Sequence, residues 1–259
     1  MNQTRDLYMA ERRQEILQRL HNAGRVSVVE LSQAFDVSEV TIRTDLQALA
    51  EQNLIVRTHG GAILASDDEP DLALSSRQEQ QIQQKGHIGL AAAQMVQEGE
   101  AIYLDSSSTA LAIAQYLPEG RSITVITSSL AVAQALRETV GITIVMPGGV
   151  VQNDTASLIG PDGLAYLSKV NIQKGFFGSH GIAIREGLTD ISVGIAAAKQ
   201  PIVAMCRQVI AVVDATKWDR VGLVSFAQIS DIDTVLTDEH APPELVEHVR
   251  ALGVEVVIV

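Results

Sequence analysis

The sequence predicts an α/β protein in two parts, with a compact helical segment ahead of a mostly parallel sheet covered by helices. Two observations carry that prediction. Across residues 1–65 the apolar positions recur every three or four residues, the period of a helix with one buried face. From Lys85 onward, short runs that are apolar throughout alternate with helical stretches. Strands that are apolar on both faces need helices above and below, which is the signature of a parallel sheet. The implied boundaries are 1–65 for the helical domain, 66–84 for a linker and 85–259 for one α/β domain.

In the first part, Ile16, Leu17 and Leu20 form the apolar face of a helix from about Arg5 to Ala23, which Gly24 ends as a left-handed cap. A second short helix, Val28 to Phe35, follows Ser27 as N-cap, and Asp36-Val37 makes a tight turn. Ser38 caps a third helix, Glu39 to Glu51, whose apolar side is Val40, Ile42, Leu46 and Leu49. Leu54–Arg57 and Ala62–Leu64 flank Thr58-His59-Gly60-Gly61, a hairpin with a glycine turn. Three helices followed by a hairpin is the layout of a winged helix-turn-helix.

Residues 66–84 are polar, carry Pro70 and four acids near their start, and pass into helix. Beyond them the expected strands are Ala101–Leu104, Ile123–Ile126, Ile142–Met146, Gly175–Phe177, Val209–Val213, Thr234–Leu236 and Val254–Ile258. Helices are expected over 87–97, 109–117, 129–139, 192–205 and 242–251.

Composition narrows the function. The 259 residues include 19 Lys+Arg, 31 Asp+Glu and one Cys, for a net charge of −12. A single Cys206 excludes a disulfide framework and a multi-thiolate zinc site, and no His pair has ligand spacing with a third ligand nearby, so no metal is expected. No apolar run reaches 18 residues and the N-terminus lacks an apolar leader, so neither a membrane partner nor secretion is expected and the protein reads as cytoplasmic. The acidic total argues against nucleic acid only until it is divided. Residues 1–65 hold seven Arg and eight acids, a net charge of −1, which leaves −11 on the rest. The acidity should therefore keep DNA off the second domain and confine contact to the first.

In a helix-turn-helix the third helix enters the major groove. Here it offers Ser38, Glu39, Thr41, Arg43 and Thr44, with Arg43 suited to guanine or phosphate and the threonines to phosphate or a thymine methyl. Arg57 and His59 lie on the hairpin, where a wing touches backbone or minor groove. A solvated polar face on an ordinary helical domain is the alternative.

In the second part, Asp105-Ser106-Ser107-Ser108-Thr109 joins a strand to a helix. Backbone N–H groups at a helix start, with hydroxyls around them, make an anion site, and the Asp suits hydroxyl groups. The same chemistry recurs at Thr127-Ser128, and Gly148-Gly149 permits close approach of a ligand. Further candidates are His180 and Gly181, Lys199, Asp214 and Lys217. Ligands collect at strand carboxyl ends in open α/β sheets, so the set suggests a compound with one phosphate and several hydroxyls.

Two stretches resemble a known family. Val37 through Leu46, VSEVTIRTDL, followed by Arg57-Thr58-His59-Gly60-Gly61-Ala62, is similar to the VS-x-x-TIRRDL and R-x-HGGA signature of the DeoR family of bacterial sugar-metabolism repressors. Thr44 stands where the family has a second Arg. The resemblance implies that the second domain is ribose-5-phosphate-isomerase-like, with its phosphate loop at Asp105–Thr109, where Ser107 replaces Gly. The T-N/S-N/S-L element matches Thr127–Leu130, and D-x-(S/T)-K matches Asp214–Lys217. Ile195 occupies a position that is usually Glu, and His180 is unusual in its place.

The expected function is a DNA-binding transcriptional regulator, a repressor of a carbohydrate-catabolism operon. Its partners are double-stranded operator DNA and a phosphorylated sugar or polyol phosphate that releases it, with a homo-oligomer, dimer or tetramer, matching a palindromic site. No cofactor and no catalytic residue are expected. The alternative is a sugar-phosphate isomerase with an appended helical domain, whose base would be Asp105, His180 or Asp214.

Overall fold

The computed structural model describes residues 12–20, 25–51, 55–58, 61–64, 74–153, 155–160 and 167–259. The chain divides into two compact units, Met1–Pro70 and Asp71–Val259.

In the first unit residues 12–20 are helical (α1), within the expected 5–23; the remainder of that helix and the Gly24 cap lie outside the described residues. Strand β1 (Arg25–Ser27), helices α2 (Val28–Phe35) and α3 (Glu39–Glu51), and strands β2 (Ile55–Thr58) and β3 (Gly61–Leu64) follow. The two later helices match the expected bounds. Asp36 closes α2 in the left-handed region, with φ 51°, a conformation that Asp tolerates better than most residues. Ser38 caps α3 by accepting the Thr41 N–H at 3.2 Å. Ser27 stands at the start of α2, but its side chain makes no capping bond.

Two features differ from expectation. The hairpin gains a third strand, because β1 pairs antiparallel with β3, Val26 opposite Ala62. Three residues are too few to show a period in sequence. Val40 is 72% exposed rather than buried. It belongs to the outer face with Glu39, Arg43 and Thr44, while Ile42, Leu46 and Leu49 turn inward onto Ile16, Leu20 and Leu31.

The second unit opens with α4 (Leu74–Glu79), inside the segment expected as linker, and α5 (Ile82–Gln94). All seven expected strands form one parallel sheet. In chain order they are β4 (Ala101–Leu104), β5 (Ile123–Thr127), β6 (Ile142–Val145), β9 (Ile172–Phe177), β12 (Cys206–Val212), β14 (Thr234–Thr237) and β15 (Glu255–Ile258). Their spatial order is β15-β14-β12-β9-β4-β5-β6.

That order has a consequence for the site. From β4 the chain steps outward through β5 and β6, then returns to β9 beside β4 and steps the other way through β12, β14 and β15. Connections leave β4 and β9 in opposite directions, so a crevice opens between their carboxyl ends, where α/β sheets bind ligands.

One face of the sheet, with Ile102, Leu104 and Phe176, packs on α5, α6 (Ser108–Tyr116) and α7 (Leu130–Leu136). The other, with Tyr103 and Phe177 at 5.4 Å between ring centres, packs on α8 (Val193–Val203) and α9 (Pro243–Ala251). Two smaller antiparallel sheets were not anticipated. One joins β7 (Val150–Gln152) to β8 (Ser157–Ile159); the other joins β10 (Gly181–Ala183), β11 (Gly187–Asp190) and β13 (Val224–Ala227). Their three- and four-residue strands carry neither clean alternation nor a long apolar run.

Candidate functional site

The second unit has a partly open cleft at the crevice between β4 and β9, about 350 Å³ when the space open to solvent is included. Its walls come from four places in the chain. The β4–α6 loop gives Ser107, Ser108 and Thr109, the end of β9 gives Gly178 and Ser179, and the end of β12 gives Asp214 and Lys217. The fourth wall is Arg77, Gln80 and Lys85, from α4 and α5.

The floor is built around Asp105, which is fully buried. Its Oδ1 accepts the Ser107 N–H at 2.9 Å, and its Oδ2 accepts the Gly178 N–H at 3.0 Å. One carboxylate thus ties the loop after β4 to the loop after β9. Lys199 completes the knot: Nζ lies 2.9 Å from Asp105 Oδ2, 3.0 Å from Asp190 Oδ2, and donates to the Gly178 carbonyl at 2.8 Å. Burial alone would lower the Lys199 pKa, but the two carboxylates outweigh it and raise it above its ordinary value. Burial likewise works against charge on Asp190, and Lys199 overcomes it, so the Asp190 pKa is lowered. Both Asp105 and Lys199 were expected to meet a ligand directly. Within the protein they are paired with each other, because a buried charge needs a partner at close range.

Above this floor the α6 N-terminus is open to an anion. Ser107 Oγ accepts the Ala110 N–H at 3.0 Å, which fixes the first turn and directs the helix dipole at the cleft. The cations stand opposite. Lys85 is 6% exposed and donates from Nζ to the carbonyls of Arg77 and Gln80, both at 2.6 Å. Burial, together with the charges of Lys217 and Arg77, outweighs Asp214 and lowers its pKa to about 8. Lys217 is lowered too, first by burial and then by Arg220 and Arg77, against the opposing pull of Asp214. Asp214 Oδ1 is itself engaged, accepting the Thr216 N–H at 3.0 Å. Ser179 Oγ, on the same wall, is buried without a hydrogen-bond partner among the described residues. An unpaired hydroxyl and crowded cations on one wall are chemistry suited to an anion.

The sequence candidates are therefore sorted. Ser107, Ser108, Thr109, Asp214 and Lys217 share the cleft. Ser106 and Ser128 line a neighbouring cavity with Lys199. Thr127 is fully buried, its Oγ1 accepting the Ser129 N–H. Gly148 and Gly149 line neither space; Gly149, at φ 131°, leaves no room for a Cβ beside the Ile159 carbonyl, so it serves the β7–β8 ribbon. Gly181 similarly admits the Arg220 carbonyl, and the His180 N–H is taken up by the Thr189 carbonyl. Sequence reasoning missed Arg77, Gln80 and Lys85, whereas Ser179 lies in the Gly178–Ile182 stretch that the sequence offers as candidate ligand groups. A signal for Lys85 existed, since it shares a helix face with Ile88, Gly89 and Ala92, where a lysine is out of place.

In the first unit the outer face of α3 carries the expected reading residues. Arg43 Nη2 bonds Glu39 Oε2 at 3.1 Å, and both side chains are about half exposed. Thr44 Oγ1 donates to the Val40 carbonyl, and the Ser38 and Thr41 hydroxyls lie 2.9 Å apart. On the inner face Asp45, 1% exposed, accepts Arg12 Nε at 2.5 Å and Arg13 Nε at 2.9 Å, locking α3 to α1. The backbone of Arg57 is in β2, but its side chain and all of His59 lie outside the described residues. Among the described residues no group of His, Cys, Asp and Glu is placed to hold a metal, and no helix is long and apolar enough to cross a membrane.

A helix-turn-helix unit followed along the chain by an α/β unit with a cation-lined cleft is the layout of a ligand-responsive transcriptional regulator. The comparisons agree in both halves: residues 12–68 match the DeoR-like helix-turn-helix domain and residues 80–239 the DeoR C terminal sensor domain. The chain belongs to the DeoR family. It is 32% identical over 252 residues to the HTH-type transcriptional regulator GolR of Listeria innocua, covering 97% of this chain and 99% of that protein. It is 33% identical to the glycerol-3-phosphate regulon repressor of Escherichia coli over 233 residues, 90% of this chain and 91% of the other. Among solved structures it is similar to ribose 5-phosphate isomerase A of Methanocaldococcus jannaschii, with a TM-score of 0.39, 16% identity, and coverage of 52% and 53%. Relatives along nearly the whole chain are regulators, so the isomerase alternative is set aside and the protein is a non-enzymatic transcriptional regulator.

Proposed function

We propose that the second unit binds a phosphorylated sugar or polyol phosphate in the cleft between β4 and β9, and that binding releases the first unit from operator DNA upstream of a carbohydrate-catabolism operon. The observation that carries this reading is the meeting of Arg77, Lys85 and Lys217 around the N-terminus of α6. Helix N–H groups, hydroxyls and three cations form a phosphate receptor, because each supplies donors or positive charge. The relatives named as repressors, one of them for a glycerol-3-phosphate regulon, support the direction of control.

On this reading α3 enters the major groove with Ser38, Glu39, Thr41, Arg43 and Thr44, and the hairpin bearing Arg57 and His59 acts as the wing. Domains 1–65 and 85–259 do the two tasks in a cytoplasmic homo-oligomer of at least two chains, with 66–84 between them. A mobility-shift assay on the protein's own promoter region, with and without sugar phosphates, tests it. Sequence-selective binding relieved by a sugar phosphate is expected; binding indifferent to every sugar phosphate overturns the effector half.

A further inference from the structure

Gln81, between α4 and α5, sits in the left-handed region at φ 50° and ψ 42°, next to a residue that lines the cleft. Glycine adopts that region freely, and other residues adopt it at a cost. Such a conformation persists only where its surroundings hold it. Here one residue holds it. The Lys85 N–H donates to the Gln81 carbonyl at 2.9 Å, and Lys85 Nζ donates to the carbonyls of Arg77 and Gln80, both at 2.6 Å. Lys85 thus gathers three carbonyls of a single turn.

The two helices that meet at this turn are held unequally. Helix α5 is fixed on α6, because Gly89 lies so close that a Cβ would stand 2.9 Å from the carbonyl carbon of Ala112. Helix α4 has six residues, too few to be stable without tertiary contacts, and it rests on α6 with Leu74 buried. Leu74 follows Pro70, the last residue of the first unit, by four positions. The weaker arm of the turn is therefore the one that leads back along the chain to the first unit.

Positive charge is split across the same turn. Arg77 lies on α4, before Gln81, while Lys85 and Lys217 line the cleft from beyond it. Arg77 repels both lysines: after burial, it is among the charges that lower the pKa of each. This repulsion opposes the resting of α4 on the cleft. An anion between the cations reverses it, since each then gains by approaching the shared charge. The deep part of the cleft has a volume of about 40 Å³, space for about three waters. A phosphate group seated there meets cations on both sides of Gln81.

Resting on the phosphate reading of the cleft, we propose that Gln81 is the hinge of a clasp, in which a bound phosphate draws α4 closed against α6 and so fixes where the chain enters the second unit. A ligand shifts an equilibrium only through contacts that differ between its two states. Arg77, on the arm that moves, supplies that contact, and Gln81 sets how readily the arm closes.

Hydrogen exchange and calorimetry on the intact chain, with inorganic phosphate as the probe, test this. Local opening is slowed only by a ligand that the opening would release, so amides of 74–81 should exchange at least about tenfold more slowly with phosphate bound. Gln81 does not itself line the cleft, so its substitution leaves the cations in place. Gln81→Val puts a β-branched residue where φ is positive and should weaken phosphate binding about tenfold. Gln81→Gly suits that conformation and should bind phosphate at least as tightly as the parent. If Gln81→Val does not fold, the exchange measurement on the parent chain decides. Exchange at 74–81 indifferent to bound phosphate, or Val and Gly variants that bind alike, overturns the hinge alone. Failure of phosphate to bind the parent chain overturns the reading of the cleft as well.

Discussion

Lys85 donates its ammonium to the carbonyl oxygen of Arg77 at 2.6 Å, so the last turn of α4 is held by a side chain that also faces the anion cleft. The same residue makes the site responsive to pH. Burial and neighbouring cations lower its pKa to about 8, against 10.5 ordinarily. In the unfolded chain it keeps its proton up to the ordinary value. Between about 8 and 10.5 the unliganded folded state therefore binds fewer protons, and this group's contribution to stability rises with pH across that window. A bound phosphate restores the proton. Affinity for a phosphate dianion should be level from about pH 6.5, just above its second ionisation, to pH 8, and should then fall by up to about tenfold per pH unit. Calorimetry in buffers of different ionisation heat should show little proton uptake at pH 7 and close to one proton at pH 9. Equal affinity at both values would remove Lys85 from the site, whereas Lys85→Met should flatten the profile.

The knot beneath the cleft gives a stability prediction of the opposite sign. Lys199 is raised and Asp190 lowered, so each charge supports the other in the fold. Lys199 contributes stability below its unfolded value and loses it as pH rises through the higher folded one; Asp190 contributes above its unfolded value and loses it as pH falls through the lower one. Lys199→Met leaves Asp105 and Asp190 facing each other, and should cost about 3–5 kcal/mol at pH 7. In a unit of this size that is a drop in Tm of roughly 6–20 °C. The deficit should shrink toward pH 4, because protonating one carboxylate relieves the repulsion. A deficit constant from pH 7 to 4 would mean that the loss is one of packing.

The parallel sheet and its seven strands were legible because each strand is a continuous apolar run, and so were α2 and α3, because their inner faces repeat at helical spacing. The hydroxyl-rich loop was legible as a strand-to-helix junction. What escaped was set by long-range pairing. That Asp105 would pair with Lys199, 94 positions along the chain, has no local signature. Arg77 and Gln80 were hidden by polarity, since a polar stretch reads as linker whether or not it folds back on a sheet. Val40 was misassigned because one apolar residue at the helix start fits either face; the inner face is formed by Ile42, Leu46 and Leu49 together with Asp45, which pairs with Arg12 and Arg13.

Gly178 is where the two loops of the cleft come closest. A Cβ there would stand 2.5 Å from both Cβ and Oγ of Ser107. Gly178→Ala must therefore push back the residue that caps α6, and with it the N–H groups offered to the anion. Overpacking of this kind costs about 1–3 kcal/mol. The expected result is a protein that folds and binds operator DNA but no longer gains thermal stability from a sugar phosphate. A normal ligand-induced shift would mean that the helix start does not hold the phosphate.

The reading helix separates contact from scaffold through two neighbours. Arg43 is exposed and its bond to Glu39 is a surface i, i+4 pair, worth about 0.3–0.5 kcal/mol. Arg43→Ala should leave the unfolding of the first unit nearly unchanged while weakening operator binding about tenfold or more, the loss expected for a bidentate base contact. If Arg43 instead meets a phosphate, affinity should fall alike on specific and random DNA, and the salt slope should drop by about one. Asp45 should behave oppositely. It is buried, and its loss removes the carboxylate that Arg12 and Arg13 share at the α1–α3 junction. Asp45→Asn should destabilise the unit by about 2–4 kcal/mol, discounted because both arginines keep some solvent. Its operator affinity should recover at low temperature, where the fold is restored, whereas that of Arg43→Ala should not. Recovery of Arg43→Ala on cooling would show that this arginine is structural, and the contact surface of α3 would have to be sought on Glu39, Val40 and Thr44.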